Sequence, residues 1–395
     1  MLSQEAIDLG TNRNAIRELF EFGKRRAAEI GAENVFDFSI GNPSVPAPQC
    51  LTDTARALLE GDPVALHGYT SAQGDAAVRQ AIADDLNRRY DARCRGEDFY
   101  MTVGATAALC SCFHGLTCPG AGDEYICFAP YFPEYGVFLR GAGAKMVVIP
   151  PEIEQFQIDF AAFEAAVNER TKGVIVNSPN NPCGAVYSEE TVRRLAELLR
   201  AKSAQYGHPI YLISDEPYRE IVYGAPAPWL PAYYDNTLVC YSYSKSLSLP
   251  GERIGYVLVP PCVEEHDTVY AAVVGAGRKL GYICAPSFFQ HLIARCTGQT
   301  ADLSVYRRNK ELLLSSLREM GYHCVEPGGT FYLFPRSLEP DDAAFSERAK
   351  RHDLLLVPGS GFGCPGHVRV SFCVPTERIQ RALPAFEKLM REYRG

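Results

Sequence analysis

Apolar positions follow two different rhythms along this chain. Between residues 12 and 31, Ile16, Leu19, Phe20, Ala27 and Ile30 recur at helical spacing and predict a helix. SIGNPSVPAP, residues 39–48, is rich in proline and glycine and reads as a connector. From about residue 100 the rhythm changes. Short, nearly continuous apolar runs occur at 100–104, 124–129, 145–150, 172–177, 210–214, 237–242 and 254–259, and each predicts a strand. Helix-like stretches such as 106–116 and 188–206 lie between several of them. Ser188 is placed to cap the second, and Glu189 and Glu190 suit the positive end of its dipole.

Near-continuous apolar strands alternating with helices predict an α/β fold. The expected large domain, residues 49–286, has three layers, α/β/α, around a mostly parallel seven-stranded sheet. A single long helix is expected at about 287–320. Beyond it the composition shifts, and 321–395 reads as an α+β unit. GGTFYLFP, LLLVPGSGF and VRVSFC are its strands and 376–393 its final helix. With residues 1–48 it makes a smaller α+β domain. In parallel sheets, ligands bind beyond the carboxyl ends of the strands. GATAAL (104–109), NSPNNPCG (177–184), SDEPY (214–218) and SYSK (242–245) each follow a strand, so they share one rim.

Composition narrows the partners. The 395 residues are 47% hydrophobic and 22% charged, which supports a large core and argues against disorder. A net charge of −8 disfavours nucleic acid or an anionic membrane as the main partner. No apolar run reaches the ~18 residues of a membrane span. The first residues lack a signal-type apolar segment, so a cytoplasmic protein is expected. Most of the fourteen cysteines sit in apolar segments, where a thiol acts as a small hydrophobe. Cys110, Cys112, His114 and Cys118 do not have the spacing of a zinc site, and no metal is expected.

The chemistry centres on YSYSKSLSLPGERIGY, residues 241–256. Lys245 stands among serines, with Arg253 beyond a Pro-Gly turn. A lysine amine condenses with an aldehyde, and pyridoxal phosphate is the commonest such partner. Ser242, Ser244 and Arg253 supply donors for a phosphate. GATAAL adds the free amides of a helix start, around Gly104, Ala105 and Thr106. Asp215, a carboxylate ending an apolar strand, needs a partner, and a protonated ring nitrogen is a suitable one. Tyr218 and Asn181 offer donors to a ring oxygen, Asn181 alternatively to a substrate carboxylate, and Phe132 offers a stacking face. Arg369, inside the apolar run VRVSF, suits a substrate carboxylate.

In this order, Tyr69 in GYTSAQGDAAVRQAI, GATAAL, APYF, NNPCG, DEPY, SYSKSLSLPGERIG and VRVSF resemble the class I/II aminotransferases. These are fold-type I pyridoxal phosphate enzymes, similar to aspartate aminotransferase. The likeness runs from SIGNPSVPAP to the last helix. It implies that Lys245 is the catalytic amine and that pyridoxal 5'-phosphate is the cofactor. It places Gly41 on a loop near the substrate and gives Tyr69 to the phosphate of a neighbouring subunit, hence a homodimer. Cys183 and the Gly104–Thr106 segment depart from the usual residues without removing a needed group. The implied reaction moves an amino group from an L-amino acid to a 2-oxo acid. Aspartate or glutamate is the first expectation, with Arg278 or Lys279, in the glycine-rich loop of GAGRKLGYICAPS, offering a side-chain cation from the partner; aromatic or neutral donors are the alternative. A carbon–sulfur β-lyase would share the same site. A cyclase acting on an activated methionine derivative is a rarer use of it. A sensor would need a DNA-binding head, and no basic segment of that kind precedes residue 40.

Overall fold

The computed structural model describes residues 2–11 and 15–394. The predicted first helix is present as Ala15–Ile30, preceded by Gln4–Thr11; residues 12–14, also assigned to it, lie outside the described residues. The strands are β1 Phe36–Asp37, β2 Phe99–Thr102, β3 Glu124–Phe128, β4 Lys145–Ile149, β5 Thr171–Val176, β6 Tyr211–Asp215, β7 Thr237–Ser242, β8 Gly255–Leu258, β9 Tyr332–Leu333, β10 Leu354–Leu355, β11 Val357–Pro358 and β12 Val368–Ser371.

β2 to β8 are the seven predicted strands, and they form one sheet in the order β2-β8-β7-β6-β5-β3-β4. All pairings are parallel except those of β8, which runs against both β2 and β7. Strand alternation explains the near-continuous apolar runs, because both faces are covered. Tyr125 and Cys127 of β3 face the layer of the helices Gly104–Leu116 and His266–Lys279. Their neighbours Ile126 and Phe128 face Leu195 and Leu199 of the helix Glu189–Tyr206. Ser188 caps that helix as expected, accepting from Thr191 N–H. Only β4, at the edge, shows exposed positions.

The carboxy-terminal residues add a three-stranded antiparallel sheet, β11-β12-β9. β1 pairs in parallel with β10, which ties the amino-terminal segment to this smaller part. The helices Ser304–Glu319 and Thr376–Arg394 pack there on Phe331, Leu333 and Val370.

Two expectations need correction. Residues 287–320 are not one long helix but two, Ser287–Ala294 and Ser304–Glu319. The break carries Gly298 and turns the chain so that Ala301 N–H donates to the Ser246 carbonyl at 2.8 Å. Arg278 and Lys279 are not in a glycine-rich loop; they form the last turn of His266–Lys279. The spacing of its buried Val269, Val273 and Ala276 is helical, although Gly275 and Gly277 disguise it.

Cys110 and Cys112 are buried, and Cys112 Sγ lies 3.6 Å from Cys240 Sγ in the layer beneath β7. Among the described residues, no helix is long and apolar enough to cross a membrane.

Candidate active site

At the carboxyl ends of β5, β6 and β7 the sheet opens into a cavity of about 340 Å³. The predicted site residues line it, except Tyr69 and Gly104. Lys245 sits on the short helix Tyr243–Ser246 directly after β7. Its Nζ donates to the Gly41 carbonyl at 2.7 Å and stands 5.6 Å from the centre of the Phe331 ring. Burial lowers its pKa to about 8; Cys373 opposes this, while Arg369 and Arg253 add to it. A substantial fraction of this amine is therefore neutral, and nucleophilic, near neutral pH.

Asp215 ends β6 and is fully enclosed. Its Oδ2 accepts a hydrogen bond from the Tyr135 hydroxyl at 2.5 Å. Its Oδ1 is buried with no partner among the described residues. Burial raises the carboxyl to about 7, against the Tyr135 hydrogen bond and with help from Glu216. Asn177 locks the following loop onto this strand: its Nδ2 donates to the Asp215 carbonyl and its Oδ1 accepts from Asn181 N–H, both at 2.8 Å.

Just beyond β7, polar groups converge on one corner of the cavity. Ser242 Oγ and Ser244 Oγ are 2.7 Å apart, and Arg253 Nη1 reaches Ser244 Oγ at 3.3 Å. The helix Gly104–Leu116 begins here without a side-chain cap, leaving its first amides free. Gly104 has φ of 81°, and a Cβ there would stand 2.5 Å from Arg253 Nη2. Only glycine lets the helix start and the guanidinium approach so closely. Phe132 forms part of the wall, edge-on to Tyr135 at 5.6 Å.

The smaller sheet supplies the remaining wall. Arg369 on β12 donates from Nη1 to Asn181 Oδ1 at 2.9 Å and from Nη2 to the Ser39 carbonyl at 2.6 Å. Its plane rests on the Tyr332 and Phe362 rings, at 4.6 and 5.0 Å. Its Nε has no partner, and no carboxylate pairs with it among the described residues. Tyr332 and Tyr218 bring their hydroxyls within 2.9 Å of each other. Gly41 passes so close that a Cβ would meet the Tyr332 hydroxyl at 1.9 Å.

The sequence matches the family Aminotransferase class I and II over residues 33–386. This chain belongs to the class I and II aminotransferases. A probable aspartate/prephenate aminotransferase of Thermus aquaticus is 30% identical, over 93% of this chain and 94% of that protein. The crystal structure of an aminotransferase from Eubacterium rectale is 56% identical, with a TM-score of 0.98 and complete coverage of both chains. The aspartate aminotransferase of Thermus thermophilus, solved with maleate, is 26% identical with a TM-score of 0.86, over 98% and 99% of the two chains. The protein is thus a pyridoxal phosphate-dependent transferase.

Within a single copy of this aminotransferase, Tyr69 is 100% exposed and does not reach the cavity. Arg278 borders a separate hollow with Gln73, Tyr100 and Val274. Sequence reasoning missed Tyr135, Asn177, Tyr332 and Ile16, all of which touch the cavity or its key groups. Tyr135 lies three residues beyond APYF, and Asn177 opens NSPNNPCG. A buried carboxylate seeking a second donor was the available signal for the first.

Proposed function

We propose that this cavity binds pyridoxal 5'-phosphate through Asp215 and the Ser242–Ser244–Arg253 corner, and that Lys245 performs the proton transfers of transamination. The carrying observation is Asp215 Oδ1, a buried carboxylate oxygen with no partner among the described residues, in the same cavity that Ser242, Ser244 and Arg253 line. A cationic ring nitrogen supplies what that oxygen lacks, and so also holds the carboxylate ionised despite its burial. The free amides from Gly104 to Thr106 and the Arg253 fork suit a phosphate. Tyr218 and Asn181 would donate to the ring oxygen, and Phe132 would cover one face of the ring.

The cofactor, once bound, supplies a carbonyl for the amino group and a sink for electrons. The rest falls to this chain. Arg369, with a free Nε and no internal carboxylate, grips the substrate α-carboxylate. Its contacts with Asn181 and the Ser39 carbonyl fix its plane before substrate arrives. Lys245 Nζ, neutral in part because it is buried, takes the α-proton and holds it for return. The substrates are an L-amino acid and a 2-oxo acid. The exposed Tyr69 and half-exposed Ile283 fit a homodimer in which a second copy covers them and Tyr69 reaches the neighbour's phosphate corner.

Borohydride reduction of the protein loaded with cofactor tests the central assignment. One pyridoxyl group should be found by peptide mass mapping, on Lys245. A mass gain on any other lysine, or none with cofactor in excess, overturns it.

A further inference from the structure

Resting on the aminotransferase reading and deepening it, we infer that Arg219, which does not line the cavity, is a positioning residue for this reaction: it clamps the turn carrying Asp215 and Tyr218 to β7 and β8, the strands on either side of Lys245. The observation behind this is the ion pair of Arg219 with Glu216, whose side chains are 5% and 6% exposed.

Alternation along β6 sends Ser214 to the face opposite Asp215. Ser214 Oγ donates to Glu216 Oε1 at 2.5 Å. Glu216 N–H donates to the Cys240 carbonyl at 2.9 Å, which carries the β6–β7 ladder one residue past Asp215. Arg219 Nε then donates to Glu216 Oε2 at 2.5 Å and closes the turn from 216 to 219. Tyr218 lies within that turn, and its side chain lines the cavity. One end of the turn is thus fixed by the ladder and the other by the ion pair.

The same guanidinium reaches across to the lysine strands. Its Nη1 donates to the Tyr256 hydroxyl of β8 at 3.0 Å, and its Cζ lies 4.4 Å from the centre of the Tyr241 ring of β7. Those two rings are stacked, 5.0 Å apart. The Tyr241 hydroxyl contacts Ser246 Oγ at 2.8 Å and Glu220 Oε2 at 2.9 Å. Ser246 follows Lys245 on the helix Tyr243–Ser246. One planar fork therefore ties the turn of Asp215 to the segment holding the reacting amine, which a lysine ammonium could not do. A shift of about 1 Å between reacting groups costs about 10²-fold in rate, so such a tie matters to the chemistry. A pair that served stability alone would be replaceable by two neutral side chains at little cost. A pair that positions would not, because losing both charges still frees the turn.

The test uses the protein loaded with cofactor and compares wild type with Arg219→Met/Glu216→Gln and with Arg219→Lys. The fastest of L-aspartate, L-leucine and L-phenylalanine serves as donor, with 2-oxoglutarate as acceptor, and cofactor affinity is measured by titration into the apoprotein. The double variant, which removes both charges together, should keep a melting temperature within about 3 °C of wild type. Its kcat should still fall by at least about tenfold and its cofactor Kd rise by about tenfold, while KM for the donor changes by less than about twofold, because Arg369 keeps its own contacts. Arg219→Lys keeps the charge and loses the fork, and should show the same fall in kcat. Wild-type kcat and cofactor Kd in both folded variants, or a lowered melting temperature with nothing else changed, would overturn the inference and leave the pair structural. If the double variant does not fold, Arg219→Lys decides by the same split of kcat from KM. If wild type binds cofactor but turns over no donor, the transamination reading falls, and the cofactor Kd values alone decide whether Arg219 holds the turn. If wild type binds no cofactor, both fall.

Discussion

The cavity has two halves, built on different plans. The cofactor-facing half is assembled from motifs that each follow a strand within a few residues: Asn177 to Asn181 after β5, Asp215 to Tyr218 at the end of β6, and Ser242 to Lys245 after β7. The substrate-facing half draws single residues from remote parts of the chain: Ile16, Ile40, Gly41, Tyr332 and Arg369. In the first half, polar groups are mostly fixed by neighbours on the same sheet, as Asn177 fixes the Asp215 carbonyl and the Asn181 amide. In the second, the arginine is held by a carbonyl, an amide oxygen and two rings, so its charge is left without a counter-ion. Three contacts cross the seam: Lys245 to Gly41, Arg369 to Asn181 and Tyr218 to Tyr332. On the proposed reading, the first half would hold a permanent group rigidly, and the second would stay electrostatically open for a ligand that comes and goes.

The largest effect should come from removing the amine that joins the halves. Lys245→Ala should reduce steady-state transamination by more than about 10³-fold, while dialysed protein keeps cofactor absorbance. Retained turnover would break the division, because the proton transfers would then belong elsewhere. Next, Arg369→Lys loses the fork and the ring stacking but keeps the charge. KM for the amino donor should rise by about 10- to 100-fold with a much smaller change in kcat. An effect confined to kcat would move Arg369 into the chemical half.

Tyr135→Phe sharpens the comparison from the other side. It removes the hydrogen bond that stabilises ionised Asp215, so that carboxyl should rise further above about 7 in the cofactor-free chain and hold its charge less firmly in the loaded enzyme. The acidic limb of the kcat profile should move to higher pH, and kcat at neutral pH should fall by about tenfold. An unmoved limb would deny Tyr135 this positioning role.

The smallest effect concerns stability without cofactor. Asp215 titrates at about 7 in the folded chain against an ordinary 3.8. Between those values the folded state keeps a proton that the unfolded chain has released. Its contribution to stability therefore falls as pH rises through that window. The melting temperature of the wild-type apoprotein, minus that of Asp215→Asn, should drop by about a few degrees from pH 4 to 7. A flat difference would mean that the carboxyl is not strained by burial.

How much could be read beforehand differs between the halves. The seven strands and the motifs at their ends were legible because strands covered on both faces leave unbroken apolar runs, and the site residues follow them directly. The helix His266–Lys279 was hidden by its glycines, and the break between Ala294 and Ser304 by the apolar residues on either side of it. Ile16 was noticed only as one more apolar position on a helix. Nothing in its spacing distinguishes a cavity wall from core.

By itself the sequence determined the α/β layering, and it proposed the lysine, the strand-end carboxylate and the phosphate-binding residues, since each depends on residues adjacent in the chain. Tertiary structure alone decided that Tyr135 meets Asp215, that Tyr332 meets Tyr218, that burial weakens the Lys245 base, and that Ile16 and Ile40 line the same cavity as Arg369. Proton affinity and side-chain selectivity are set by what surrounds a group in space. In this chain those surroundings come from residues 80 to 330 positions apart, which no local pattern can encode.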